Sequence, residues 1–186
     1  DNLRHTSKSK FSRTPRTTPR VIRGKKWSAL EGGTRVPCII RHPGLIPPDW
    51  ESAALISAID LLPSLAHACG IDLQQHSQGN PIIDGLNVWP TLQDDKEAPH
   101  PRQDLLYWHG ADGFQAIRKG SWKLFPNRRH AGLKGSGPAL FNLEKDLQEK
   151  LDVSMEHPVK VAALKKLAEL RLSEIEKNKI ALGETK

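Results

Sequence analysis

The sequence predicts α/β material followed by a small α+β module, an antiparallel sheet closed by a terminal helix. Three observations predict it: a β-branched run at 35–41 ahead of helical periodicity at 52–69, alternating apolar runs on both sides of Lys119-Gly120, and an amphipathic pattern from Pro158.

Residues 1–23 are rich in Ser, Thr, Pro and Arg without an apolar period, so a basic, disordered arm is expected there. Arg35–Arg41 reads as a strand closed by His42-Pro43-Gly44. Leu55, Ile59, Leu62, Leu65, Ala66 and Cys69 then recur at helical spacing, and Gly70 supplies a stop. Pro63 divides this stretch and suits the first turn of a helix starting near Leu62, with Asp60 close to its cap. Residues 72–82 read as a polar loop, and Leu86–Leu92 leaves room only for a short helix. Asp104–Trp108 reads as a strand, Phe114–Phe125 as a hairpin turning at Lys119-Gly120, and Ala139–Leu143 as a fourth strand after a loop over 126–138. From Pro158 to about Lys179, Val161, Leu164, Leu167, Ala168, Leu172 and Ile175 share one side of a helix.

Composition narrows the function classes. The chain has 186 residues, 37% apolar and 26% charged, which suits a soluble domain with tails. No run approaches the roughly 20 apolar residues of a membrane span, so no membrane partner is expected, and Asp1–His5 offers no secretory leader. The net charge of +7 is not spread evenly. Residues 1–26 hold nine bases against one acid, a net of +8; the other 160 residues hold 19 bases against 20 acids. Such a block is a solvated arm or a polyanion-binding footprint, and Phe11 alone gives it no stacking platform for single strands. Cys38 and Cys69 lack metal-ligand spacing and sit in apolar runs, which predicts two buried thiols.

Walker A, G-x-S-x-G, H-E-x-x-H and C-x-x-C motifs are all absent, and the eight histidines lack ligand spacing. One stretch is more specific. Lys26 precedes Glu31-Gly32-Gly33-Thr34-Arg35-Val36-Pro37, where the glycine pair permits close backbone approach. Lys26 is a compact cation suited to an oxyanion, and on the residues alone this is either an anion site or a tight turn with a surface lysine.

The pattern Lys-x-x-x-x-Glu-Gly-Gly-x-Arg-x-Pro resembles a signature of the sulfatases. Four further segments resemble that family in its order: Ser57–Leu65 (S-x-I-D-L-x-P-T-L), Asp84–Leu92 (D-G-x-S-x-x-P-x-L), Ala116–Leu124 (A-[IV]-R-x-G-x-W-K-L) and Leu140–Asp146 (L-Y-D-L-x-x-D). The resemblance implies the end of an alkaline-phosphatase-like catalytic domain over 24–100 and a small C-terminal domain over 101–186. It implies sulfate ester hydrolysis by a formylglycine with a bound calcium ion, on a sulfated small molecule or carbohydrate, in a periplasmic, secreted or lysosomal enzyme.

By that resemblance Lys26 contacts the sulfate, and Asp1 and Asn2 match the late pair of calcium ligands, although Leu3 stands where the family has Gly. No Cys or Ser is followed by Pro two and Arg four residues later, so no catalytic residue is assigned. The expectation is a C-terminal sulfatase fragment, inactive alone. The alternative is a noncatalytic module binding polyanions or nucleic acid through its basic arm; the single aromatic weighs against nucleic acid.

Overall fold

The computed structural model describes residues 22–52, 54–73, 83–93, 101–110 and 113–179. Asp1, Asn2, residues 1–21 of the arm and most of the 72–82 loop lie outside the described residues.

Four strands form one antiparallel sheet in chain order: β1 (Asp104–His109), β2 (Gly113–Lys119), β3 (Trp122–Phe125) and β4 (Ala139–Asn142). Because side chains alternate across a strand, the pairing sorts them into rows. Leu106, Ile117, Leu124 and Leu140 stand opposite one another in turn. They pack with Val161, Leu164 and Ala168 of a terminal helix, which the structure places at Pro158–Asn178 with its proline in the first turn. On the other face Tyr107, Ala116, Phe125 and Phe141 pack with Ala29 and Leu30. The helix and one face of the sheet are thus as expected. The hairpin turns one residue later, with Gly120 and Ser121 between the paired Lys119 and Trp122. Gly120 has φ 57°, which favours glycine at the first loop position. Trp122 faces the terminal helix but is only half-buried, against His157 (ring centroids 5.0 Å apart) and Lys160.

The first half departs further from expectation. A single helical turn, α1 (Glu31–Thr34), leads into an extended segment where a strand was expected. Residues 35–41 have no ladder partner among the described residues, and Val36 and Ile39 are exposed, Ile39 at 95%. Cys38 in this segment and Cys69 are both exposed, against the expectation of buried thiols.

Helix α2 (Leu61–Ala68) follows a 3₁₀ turn at Ala58–Asp60. Of the residues expected inward, Ala66 is buried, whereas Ile59, Leu62 and Leu65 face out. The inward positions belong to Asp60 and Ser64, whose polar groups are satisfied from elsewhere in the fold. Ser64 Oγ donates to the Asp60 carbonyl at 2.6 Å and accepts from the Val88 N–H at 2.9 Å. Gly85 lies so close to the Ile59 carbonyl that a Cβ there would sit 2.0 Å from its oxygen. The short helix expected at 86–92 is a 3₁₀ turn, Trp89–Leu92. The terminal helix, Pro158–Asn178, is α3 below. Among the described residues no helix is long and apolar enough to cross a membrane.

Candidate functional site

The Lys26 loop is folded onto the glycine pair. The Gly32 N–H donates to the Arg23 carbonyl at 2.8 Å. A Cβ on Gly32 would lie 2.6 Å from the Ile22 and Arg23 carbonyl oxygens. One on Gly33 would lie 2.5 Å from the Lys25 oxygen and 2.3 Å from that of Ser28. Any side chain at either position would therefore push the loop away, which is the physical reason for two glycines here. Lys26 stands exposed on this loop with its Nζ 5.1 Å from the Trp27 ring centroid, within cation–π reach.

Behind the loop lies a buried network of charges. Glu31 Oε1 is 2.9 Å from Lys123 Nζ, and Lys123 Nζ is 3.1 Å from Glu149 Oε1. Glu149 Oε2 accepts from the Glu31 N–H at 2.7 Å. Arg118 and Arg35 each place a guanidinium nitrogen 3.6 Å from Glu31 Oε2. The sheet register explains why acids are needed: Arg118 and Lys123 are directly opposed across β2 and β3, and like charges so placed repel. Glu31 lies between them, and Glu149 completes the neutralisation of Lys123. Lys123 Nζ also lies 4.2 Å from the Tyr107 ring centroid.

Burial pushes the Glu149 carboxyl upward in pKa, and the Lys123 charge only partly opposes this. Burial, reinforced by the Glu31 charge, likewise raises the Tyr107 hydroxyl. Neither Lys123 nor Glu149 was singled out from the sequence as a site residue. Lys123 sits in the W-K-L motif, whereas Glu149 lies in a polar stretch whose only special feature, a left-handed backbone at φ 54°, is visible in three dimensions alone.

A second buried carboxylate joins two other motif segments. Asp60 accepts from Arg102 Nε at 2.7 Å and Nη2 at 2.5 Å, from the Leu86 N–H at 2.8 Å and from the Ser57 N–H at 2.9 Å. Its burial raises the pKa, but the Arg102 and backbone donors outweigh this and hold Asp60 below its ordinary value. A cleft of about 880 Å³ lies alongside, lined by Ile59, Arg102, Asp104, Trp108 and Arg171 among others. Its arginines are engaged, Arg102 with Asp60 and Arg171 with Asp104 and Glu174. Lys26 is not among its lining residues, so this cleft does not coincide with the candidate anion site.

Among the described residues no three His, Cys, Asp or Glu come together as a metal centre, and Asp1 and Asn2 lie outside them. The calcium ion implied by the resemblance therefore has no ligand set there.

No family model matches the chain. It is 32% identical over 161 residues to the steryl-sulfatase of Mus musculus, covering 73% of this chain and 25% of that protein. It is 30% identical over 176 residues to the N-acetylgalactosamine-6-O-sulfatase of Bacteroides thetaiotaomicron, covering 86% and 32%. A solved structure described under the metabolism of multiple glycosaminoglycans by Bacteroides thetaiotaomicron matches with a TM-score of 0.62 at 29% identity, over 80% of this chain and 31% of that one. The PsFucS1 sulfatase from Pseudoalteromonas sp. shares the fold, with a TM-score of 0.70 at 22% identity over 84% and 33%. The chain spans about a quarter to a third of the length of these proteins. Its motifs, its sheet and terminal helix, and these likenesses agree: the chain belongs to the sulfatases, with their alkaline-phosphatase-like fold, and corresponds to a C-terminal part of them.

Proposed function

We propose that this chain is the C-terminal part of a sulfate ester hydrolase, that Lys26 holds the sulfate group, and that the chain turns over no substrate alone. The observation carrying this reading is the Glu31–Lys123–Glu149 network. It ties the Glu-Gly-Gly segment to the Arg-x-Gly-x-Trp-Lys-Leu hairpin and so carries the Lys26 loop on a rigid sheet. A lysine held in that way neutralises sulfate oxygens as charge builds during ester cleavage, without reorganising at the moment of reaction. The nucleophile comes from a formylglycine motif, which this sequence lacks. The division into an arm (1–23), the end of a catalytic domain (24–100) and a C-terminal domain (101–186) belongs to the same proposal. Its substrate class, a sulfated small molecule or carbohydrate, accords with the names of the relatives.

Two measurements test it. The isolated chain with calcium and a chromogenic aryl sulfate should show no turnover above a heat-killed control; turnover would sink the claim of inactivity. Sulfate should bind weakly and saturably to the parent, and Lys26→Gln should abolish that binding. Equal affinity in the two proteins would remove Lys26 from the site.

A further inference from the structure

Trp27 occupies the Lys26 loop in a conformation that bulky residues rarely take. Its φ is 72°, in the left-handed region, and its side chain is 73% exposed, so no burial of the indole offsets the strain. The loop on either side of it lies close to the glycine pair: a Cβ on Gly33 would sit 2.5 Å from the Lys25 carbonyl oxygen and 2.3 Å from that of Ser28. Two contacts then orient the ring. Lys26 Nζ lies 5.1 Å from its centroid, and His109 meets it at 74° with centroids 6.0 Å apart. His109 is the last residue of β1, just beyond a register shift at Tyr107/Trp108, and such irregularities re-aim side chains at strand ends. A strained, exposed aromatic beside a candidate anion-binding lysine is a pattern of functional sites rather than of packing.

We infer that Trp27 determines specificity at the Lys26 site: its indole receives the ring of a cyclic alcohol whose sulfate ester Lys26 holds. This rests on the reading of Lys26 given above. A sulfate ion or a short alkyl sulfate offers charge but no face. A pyranose presents C–H groups and an aryl or steroid ring presents an apolar face, and both pack on an indole. The ring and the ammonium lie side by side, so a ring-borne ester engages both together. His109, braced against the indole, sets its tilt.

The test is binding to the full 186-residue chain, followed through the indole N–H signals of its five tryptophans. The probes are inorganic sulfate, ethyl sulfate, phenyl sulfate and N-acetylgalactosamine 6-sulfate. At least one ring-borne ester should bind about tenfold more tightly than ethyl sulfate, the size of one good aromatic contact, and should shift the Trp27 signal. The last two probes decide whether the ring is aryl or sugar. Trp27→Leu should erase that advantage while leaving sulfate and ethyl sulfate within about twofold. Trp27→Gly, which accepts a positive φ, should do the same and excludes a distorted loop as the cause. Trp108→Leu, at another exposed tryptophan, should change nothing. The inference is overturned if the parent binds ring-borne and ethyl sulfates alike, or if the advantage survives in both Trp27 variants. Lys26→Gln separates this from the underlying reading. If it weakens all four anions while Trp27→Leu changes none, the anion site stands and the role of Trp27 falls. If it leaves all four unchanged, both are overturned.

Discussion

Replacing Lys123 with Met tests whether the buried network secures the Lys26 loop. Met has nearly the volume of Lys and fills the site, so the change is electrostatic rather than a cavity. Lys123 is fully buried between Glu31 and Glu149, which are 2% and 0% exposed. Without it the two carboxylates face each other with only the guanidinium groups of Arg118 and Arg35, both 3.6 Å from Glu31. Removing one partner of a buried pair destabilises by about 3–5 kcal/mol. Those arginines compensate in part, so about 3 kcal/mol is expected at neutral pH from urea unfolding with an unchanged m-value. Glu149→Gln keeps an acceptor for the Glu31 N–H and should cost about 1 kcal/mol or less. Combined with Lys123→Met it should recover about 1–2 kcal/mol, since it removes one uncompensated charge. The Lys123→Met deficit should also shrink as pH falls toward 4.5, the ordinary Glu value, because burial raises the Glu149 carboxyl and its protonation removes an uncompensated charge. A single variant within about 1 kcal/mol of the parent, or a double variant no better than the single, would refute the reasoning.

Arg102→Leu should destabilise by about 3 kcal/mol at neutral pH, because it leaves Asp60 buried with backbone donors alone. Asp60 is held below its ordinary value of 3.8, so its contribution is present above that pH and is lost as pH falls through the lower folded value. Acid titration of stability in the parent, and a flatter titration in Arg102→Leu, check this. Trp122→Ala should cost about 2–3 kcal/mol by chemical denaturation, less than the about 3–5 kcal/mol of a fully buried large aromatic, since the ring is only half-buried. Deleting residues 1–21 should leave the unfolding midpoint unchanged. Deleting 1–23 should lower stability by about 1 kcal/mol, because the Arg23 carbonyl binds Gly32 and its guanidinium lies 5.9 Å from the Phe141 ring centroid. Polyanion binding by the arm should weaken by orders of magnitude between about 50 and 200 mM salt; salt-resistant, sequence-selective binding would favour the nucleic-acid alternative.

What was legible in the sequence was whatever depends on neighbours close in the chain. The hairpin follows from alternation, the strands on either side of it from short apolar runs, and the terminal helix from apolar residues at helical spacing with a proline at its start. The glycine pair was readable as a site of close backbone approach. The network was not readable, because Glu31, Lys123 and Glu149 lie in three separate segments. Glu31 stands in the glycine-pair segment, Lys123 in an otherwise apolar strand and Glu149 on a polar stretch, and nothing in the chain order links them. Only the register that opposes Arg118 to Lys123 creates the demand for two buried acids. The one-residue error at the hairpin turn has a similar origin: Gly120 was recognised as a turn residue, but its place within the loop depends on cross-strand pairing.

The helix at Leu61–Ala68 failed expectation in a more instructive way. Its apolar periodicity is real, yet Ile59, Leu62 and Leu65 face outward while Asp60 and Ser64 are buried. A helical pattern says which residues share a face; it does not say which face the fold covers. Here the polar face is covered because Arg102 and the backbone of 86–88 satisfy every group it brings inward. The apolar face stays open, beside an extended segment whose Val36 and Ile39 are also exposed. Scattered surface leucines need no explanation, but an outward apolar helix face and a β-branched segment with no ladder partner among the described residues both depart from how a self-contained core is built. By contrast, both faces of the sheet are covered, one by α3 and the other with Ala29 and Leu30 of the first half in its buried cluster. The two halves of the chain therefore differ in physical kind. The second half supplies most of both buried clusters around the sheet, so substitutions there act through the stability of this chain. The first half is joined to it by Ala29 and Leu30 and by the Asp60–Arg102 and Glu31–Lys123–Glu149 ties, and the segment around Asp60 should loosen first when its tie to Arg102 is cut. Hydrogen exchange on the Arg102→Leu protein should show this as lost protection over 58–73 and 83–92 with the sheet amides unchanged; uniform loss across both halves would contradict it.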